Sequence, residues 1–560
     1  MPAPEPTGAP EREASTSARV RPWWLLVAAG AFLGASLSLA GFTRPQDAAK
    51  LTLWWFVLGG GLLGLAQRRS GGAAGWVWLL LCLVFGLDGA VQGVLRGFFG
   101  AQPQPSVLAE ALANTSFGEA LGFVLGQWRA LAWATLYGGV WGGIGLWGQR
   151  LWRRAQPPPA SRRRTLGLAL LLMLAALLHA NPTLLRNEPF LRWAVLYQRH
   201  QAARAEMQQL AARRATIQAA RAQWQLQRVD ARPRTVALFI GESANRAGWG
   251  LYGYARDTTA ALSAALHALG GQFLRFTQAR STEAFTLPSL RLALTPATRR
   301  QPELWRSTPD LVMLARAAGY RVSWLSNQPG SDGWIASLGH AADAQAFINH
   351  GNWRDSSSED EALVPVLRAQ LRAAPPAPHE FIVVHLLGQH FHYAQRCGAQ
   401  LGPFAGVEDD AVMRSLRAQG RSRSTLQARN DYDDATWCGA RALAQLLQTL
   451  AQERAGRAVS ALYFSDHGQE VGHTRDFAGH SSEDDSGYTV PLWIWRNAQA
   501  QAQDPLPGVQ LQAPVLLDTL DLALQHLLGL RSRWYDESQD FLAPAYHPPA
   551  PPWPPRSAAH

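Results

Sequence analysis

The run VSALYFSDHG, residues 459–468, joins an unbroken apolar stretch to a carboxylate, an imidazole and a glycine. A short run rich in Val, Leu, Tyr and Phe predicts a buried strand, so Asp466 and His467 fall at its carboxyl end. TVALFIG (235–241) stops in the same way on Glu242, and EFIVVHLLG (380–388) carries His385, with His390 just beyond. YRVSWLS (320–326) and VPLWIW (490–495) add two more such runs, separated from the others by helical stretches. Alternation of this kind predicts an α/β sandwich on a mostly parallel sheet. Ligands of such sheets bind beyond the carboxyl ends of the strands, which is where Glu242, Asp466 and His467 stand.

A single carboxylate at a strand end often only caps the next helix. The Asp466-His467-Gly468 triplet changes that reading, because two carboxylates and an imidazole make a ligand set suited to zinc or manganese, and glycine lets the chain turn tightly beside an ion. Transfer or hydrolysis at such a site needs a nucleophile. The polar segment RSTEAFTLPSL (280–290) offers Ser281, Thr282 and Thr286, any of which a metal would make easier to ionise.

Outside the strand-rich region the composition changes. Apolar runs near 23–42, 51–67, 75–95, 130–148 and 165–180 approach the roughly 20 residues that span a bilayer. They predict a membrane domain of five helices over residues 23–180. The first is expected to be an uncleaved anchor, although Ser38-Leu39-Ala40 resembles a signal-cleavage site. Arg68 and Arg69 lie in the loop after the second run, and Arg150, Arg153, Arg154, Arg162, Arg163 and Arg164 lie between the fourth and fifth. The positive-inside rule puts these loops, and a tail over 1–22, in the cytoplasm. Asp88 lies inside the third run, where an ionisable group is either functional or a packing contact, with Gln92 or another span as partner. An amphipathic helical linker is expected over 181–234, the outer domain over 235–543, and a disordered Pro-rich tail over 544–560.

Of the net charge of +11, residues 1–180 carry +8 and residues 181–234 carry +7, whereas 235–560 carry −4. The basic excess therefore follows the membrane segments and their connector, which argues against a nucleic-acid-binding face. Three cysteines exclude a disulfide-built scaffold and a four-cysteine zinc site.

Six stretches in order, GESANRAGWGLYGYARDTTAAL (241–262), RSTEAFTLPSLRLALT, AGYRVSWLSNQ (318–328), EDEALVPVL (359–367), HLLGQHFHY (385–393) and YFSDHGQEVGHTRDFAGH (463–480), resemble the phosphoethanolamine transferases of the bacterial envelope. These are membrane-anchored members of the sulfatase and alkaline phosphatase superfamily, with five amino-terminal spans and a periplasmic catalytic domain. The resemblance implies an inner-membrane protein with an alkaline-phosphatase-like α/β/α sandwich in the periplasm. It implies zinc held by Glu242, Asp466, His467 and the nucleophile, which it places at Thr282, with Ser281 and Thr286 still open. It further implies that His390 and His480 hold the substrate phosphate or a second zinc, with His385 and His473 as weaker candidates, and that Glu119 of NTSFGEALGF (114–123) faces the site.

The implied reaction moves phosphoethanolamine from phosphatidylethanolamine to lipopolysaccharide through a threonine-bound intermediate. A phosphoglycerol transferase, a phosphodiesterase and a non-catalytic membrane scaffold are the alternatives; the complete ligand set weighs against the last. The sulfatase signature C-x-P-x-R is absent, so sulfate-ester hydrolysis is not expected. Relatives that act on lipid A tend to carry several disulfides, whereas this outer region has only Cys397 and Cys438, enough for one bridge. With TRDFAGH, that tilts the acceptor towards a core sugar.

The topology is testable directly. Reporter fusions after residue 160 and after residue 200 should report opposite compartments, cytoplasmic and periplasmic; the same compartment for both rejects five spans.

Overall fold

The computed structural model describes residues 22–39, 45–99, 128–155, 161–185, 187–330, 333–349, 359–398 and 400–551. The chain divides into two compact units, one of helices up to Val94 and from Arg129 to Val195, the other taking in the chain from Leu196 onward. The expected linker is thus shared between them, with Leu196 onward grouped with the strand-rich part.

Most of each of the five apolar runs lies in one of five helices, α1 (Trp23–Leu39), α2 (Pro45–Arg69, continued through a π turn at Trp55–Gly59), α3 (Gly71–Phe99), α4 (Trp128–Arg154) and α5 (Arg162–His179). Among the described residues two stretches, Pro45–Arg69 and Gly71–Leu95, are long and apolar enough to cross a membrane. Side chains of opposite polarity to a water-soluble bundle face outward: Trp76, Leu80, Leu83 and Leu87 form an exposed stripe on α3, and Leu166, Leu170, Met173 and Leu177 one on α5. Inside, Trp55 packs edge-on against Trp78, Phe85 and Trp141, with ring centroids 5.2–5.6 Å apart. Asp88 is buried and accepts from Arg192 Nη1 at 2.8 and 3.1 Å and from Gln92. Its carboxylate is accounted for as a paired packing contact.

The second unit is built on a seven-stranded sheet: β1 (Arg234–Gly241), β2 (Gln272–Phe276), β3 (Arg321–Pro329), β4 (Ala344–Asn349), β5 (His379–His385), β6 (Ala458–Ser465) and β7 (Leu492–Arg496), in the order β2-β7-β6-β1-β5-β3-β4. From β6 to β4 neighbours run parallel; β7 runs antiparallel to both β6 and β2. The expectation of a mostly parallel sheet therefore resolves into a mixed sheet.

Because β1 is covered on both faces, it reads as continuous apolar sequence. Val236, Leu238 and Ile240 enter one core with Leu290 and Leu292 of α7 (Thr286–Ala293), and Ala237 and Phe239 enter the opposite core with Leu262 and Leu266 of α6 (Ala260–Leu269). The second core takes Leu363, Val364, Leu367 and Leu371 of a helix at Leu363–Arg372 and Leu443, Leu446, Leu447 and Leu450 of the long helix Arg423–Glu453, the spacing of a helical stripe. The Pro-rich ending packs further than expected. Tyr546 is buried in the first core and its hydroxyl donates to Pro514 O at 2.5 Å, so order continues past 543.

Cys397 and Cys438 form a disulfide across 41 residues, tying the segment after β5 to the long helix, while Cys82 is free and buried. Loop-closure entropy for a ring of this size is worth about 4 kcal/mol. Cys438→Ser should lower the denaturation midpoint of the second unit accordingly, and non-reducing peptide mapping of the unaltered protein should recover the 397–438 pair.

Candidate metal centre and nucleophile

The parallel pairing of β1 with β6 sets the site. Gly241 lies opposite Ser465 in register, so the next residues of each strand, Glu242 and Asp466, leave the sheet side by side. Both are buried, with His467 buried beside them. His467 Nε2 lies 3.2 Å from Glu242 Oε1 and 3.5 Å from Asp466 Oδ2. Its Nδ1 is 2.8 Å from Gly468 O, a contact that requires the proton on Nδ1 and makes Nε2 the nitrogen that faces the two carboxylates, as a proton donor without a metal and as a ligand atom once a cation replaces that proton.

The surrounding backbone fixes this arrangement. Ser243 has a left-handed conformation, φ 58°, that aims its N–H at Asp466 Oδ1 (3.0 Å) while its hydroxyl donates to Glu242 Oε1 (2.7 Å). Tyr432, from the long helix, receives Asn245 N–H and donates to Ser243 O, each at 2.7 Å. Gly388 lets the segment after β5 lie against Glu242, since a Cβ there would stand 2.7 Å from Glu242 O. Gly468 has the same reason: a Cβ would lie 2.2 Å from Ser486 O.

Of the three candidate hydroxyls, Thr286 reaches the cluster. It opens α7, donates to Glu242 Oε2 at 3.0 Å and lies 3.4 Å from His467 Nε2. Ser281 is committed to the backbone, donating to Asp466 O at 2.6 Å and Glu283 O at 2.7 Å. Thr282 Oγ1 is buried and makes no hydrogen bond to any of the expected ligands. The hydroxyl of Ser289, one turn into α7, also donates to Asp466 O, so both ends of the 281–289 segment are tied to the Asp466 backbone.

His480 joins the group more closely than its expected substrate role requires. Glu242, His467 and His480 each offer a ligand atom within 4.8 Å of the others; the His480 ring lies 4.8 Å from that of His467 and stacks on Phe285. His390 is near enough to Glu242 to favour its ionised form, and its Nδ1 contacts Phe391 O at 2.8 Å. His385 ends β5 in a buried position against the edge of Trp324, and burial pulls it down to about 4, a neutral imidazole. His473 is likewise held neutral by burial. Glu119 lies outside the described residues. Ser243, Ser289 and Tyr432 were not expected; Tyr432 sits in NDYDDAT within a helix, where nothing local marks it.

Burial raises Asp466 well above the usual carboxylate range, and the charge of Glu242 adds to that. Glu242 is held well below its usual range, because hydrogen bonding and charge from His467 outweigh its own burial. His467 suffers from burial, yet the two carboxylates lift it to about 9. Asp466 Oδ2 is fully buried and receives no hydrogen bond. Two carboxylates facing one imidazole nitrogen, with Asp466 Oδ2 receiving no hydrogen bond, fit a divalent cation between them in place of the Nε2 proton.

Residues 234–522 match the Sulfatase family. The chain belongs to that family. Within it the chain is similar to phosphoethanolamine transferase EptC of Escherichia coli, 29% identical over 322 residues, which are 56% of this chain and 54% of EptC. It is 32% identical over 284 residues to phosphoethanolamine transferase CptA of Salmonella typhimurium, covering 49% of this chain and 47% of CptA. The matches thus span about half the length of these relatives. A zinc complex of the C-terminal periplasmic domain of E. coli EptC superposes with TM-score 0.54 and 28% identity, covering 58% of this chain and 90% of that domain. The integral membrane protein lipooligosaccharide phosphoethanolamine transferase A of Neisseria meningitidis shares the fold over 95% of this chain and 97% of its own, at 16% identity and TM-score 0.56.

The charge balance generates a pH dependence. In metal-free protein, His467 has a folded value of about 9 against 6.5. Its contribution to stability is full below 6.5 and is lost as pH rises through 9; Asp466, raised as well, acts in the same direction. A bound cation removes that loss. The increase in thermal midpoint on adding zinc to chelator-treated protein should grow from pH 6.5 to pH 9, and Asp466→Asn should shrink it at every pH.

Proposed function

We propose that the protein transfers phosphoethanolamine from phosphatidylethanolamine to lipopolysaccharide, with Thr286 as nucleophile. The observation that carries this reading is the contact of Thr286 Oγ1 with Glu242 Oε2 and its approach to His467 Nε2. The likeness to EptC and CptA supports the headgroup. The nucleophile thus moves four residues along from Thr282, to the hydroxyl that touches the ligand cluster.

Glu242, Asp466 and His467, with His480 beside them, would hold zinc; bound there, the ion supplies positive charge that favours the ionised threonine oxygen. The Thr286 proton points at Glu242 Oε2. Placed at the first position of α7, Thr286 also stands where free backbone N–H groups favour an incoming phosphate. Its oxygen attacks phosphorus in line, the bond from phosphorus to the glycerol oxygen breaks, and diacylglycerol leaves with a proton. The headgroup stays on Thr286 until an acceptor hydroxyl or phosphate, losing its proton to His390, attacks the same phosphorus and releases the threonine. Glu119 is kept as a headgroup contact, and a core sugar as the preferred acceptor.

Five inner-membrane spans with the second unit in the periplasm place this chemistry where both lipids are. The exposed apolar stripes of α3 and α5 and the disulfide support that reading.

Incubated with phosphatidylethanolamine and no acceptor, the protein should carry a phosphoethanolamine adduct on Thr286. Thr286→Ala should lose adduct and activity by a factor of about a thousand or more, Thr286→Ser should keep part of both, and Thr282→Ala should retain them. An adduct on Thr282, or of another mass, redirects the nucleophile or the headgroup.

A further inference from the structure

Nothing in the reaction above uses the other end of the nucleophile helix, yet it is held by an unusual arrangement. Arg291, in the last turn of α7, lies over the ring of Trp305, its guanidinium carbon 3.9 Å from the ring centroid. Two more guanidiniums share that indole: Arg306 at 5.0 Å and Arg213 at 5.4 Å. Three like charges around one buried ring repel one another; Glu303 pairs with Arg306, and a second carboxylate reaches all three. Glu206 contacts Arg306 (2.9 Å), Arg213 (3.2 Å) and Arg291 (3.9 Å). Glu206 belongs to the helix Pro189–Gln208 and Arg213 to the helix Leu210–Ala219, both in the connector between the apolar helices and the sheet.

We infer that Glu206 is a positioning residue for Thr286: by neutralising the guanidiniums around Trp305, it lets the connector clamp the carboxyl end of α7 and so fixes where its amino end presents the nucleophile. The inference rests on the proposed role of Thr286. The amino end alone does not fix the helix, because its ties, Thr286 to Glu242 and Ser289 to Asp466 O, lie within one turn of each other. Rotation about that end is restrained by Leu290 and Leu292 in the core and by Arg291 on Trp305. Remove the Glu206 carboxylate and the three cations on one ring lose the one charge they share, Arg306 keeping Glu303; Arg291 is the one whose displacement moves the helix that carries Thr286. The connector thereby becomes part of the transfer machinery without touching substrate or metal.

The test uses the full-length protein in detergent with phosphatidylethanolamine, and reads two quantities. Hydrogen–deuterium exchange of the 281–293 peptide reads the helix independently of any chemistry. Glu206→Gln should speed exchange there while leaving the β1 and β6 peptides and the zinc content as in wild type, and Glu206→Asp should restore most of the protection. The rate of adduct formation on Thr286 reads the consequence: Glu206→Gln should slow it about tenfold at saturating lipid, with the half-saturating lipid concentration changed by less than about twofold. Arg291→Gln should have the same effect, and the double variant should fall no further than either single one. Wild-type exchange at 281–293 in Glu206→Gln overturns the inference, as does loss of protection throughout the second unit, which would mark a merely structural role. If the unaltered protein forms no adduct, the transferase reading falls, and exchange at 281–293 alone decides for or against Glu206 as the residue that fixes this helix.

Discussion

Glu242 and Asp466 are fully buried carboxylates brought side by side by two adjacent parallel strands. Neither strand end has freedom to separate them, because Gly241 and Ser465 are in register and the sheet continues on both sides. Burying one uncompensated carboxylate already costs several kcal/mol after relaxation, and a second one beside it raises that cost further. The protein relieves it in part: Ser243 and Thr286 donate to Glu242, backbone N–H groups donate to Asp466, and His467 gains a proton more readily. What these donors leave unmet, at Asp466 Oδ2, is a position for a cation.

Much of the second unit follows from holding that pair in place. The left-handed Ser243 turns the chain so that its N–H and hydroxyl each serve a different carboxylate. Tyr432 reaches across from the long helix to lock the same turn, and the disulfide fastens that helix to the segment bearing His390. On the other side, α7 presents Thr286 to Glu242 and anchors itself on Asp466 O through Ser289. A hydroxyl held against a carboxylate that a cation would share is placed for the nucleophilic role proposed for Thr286, and this links the fold to the proposed phosphoryl transfer.

The ligand cluster was legible in the sequence because buried parallel strands are continuous apolar runs, and a polar residue directly after such a run must stand at the sheet's carboxyl edge. Five strands announced themselves in this way. The two edge strands, Gln272–Phe276 and Ala344–Asn349, did not, since an edge strand is only partly buried and its composition is mixed. The antiparallel course of Leu492–Arg496 was equally hidden, because strand direction depends on the connection and not on the apolar run. The choice among Ser281, Thr282 and Thr286 turned on how the loop folds before α7. Local sequence offers three similar hydroxyls; only the register of that helix on the sheet brings the last one to Glu242. Tyr432 and Glu206 were invisible for a related reason: their partners are distant in the chain, and each sits in an ordinary polar helical stretch.

Everything claimed for the site depends on a cation between Glu242, Asp466 and His467. A crystal structure of the zinc-loaded protein, with anomalous scattering recorded on both sides of the zinc absorption edge, tests that most directly. An anomalous peak bonded to Glu242, Asp466 and His467 and adjacent to Thr286 Oγ1 is expected. A zinc-loaded crystal with no peak between the two carboxylates, or with Asp466 Oδ2 turned away from the metal, would contradict it.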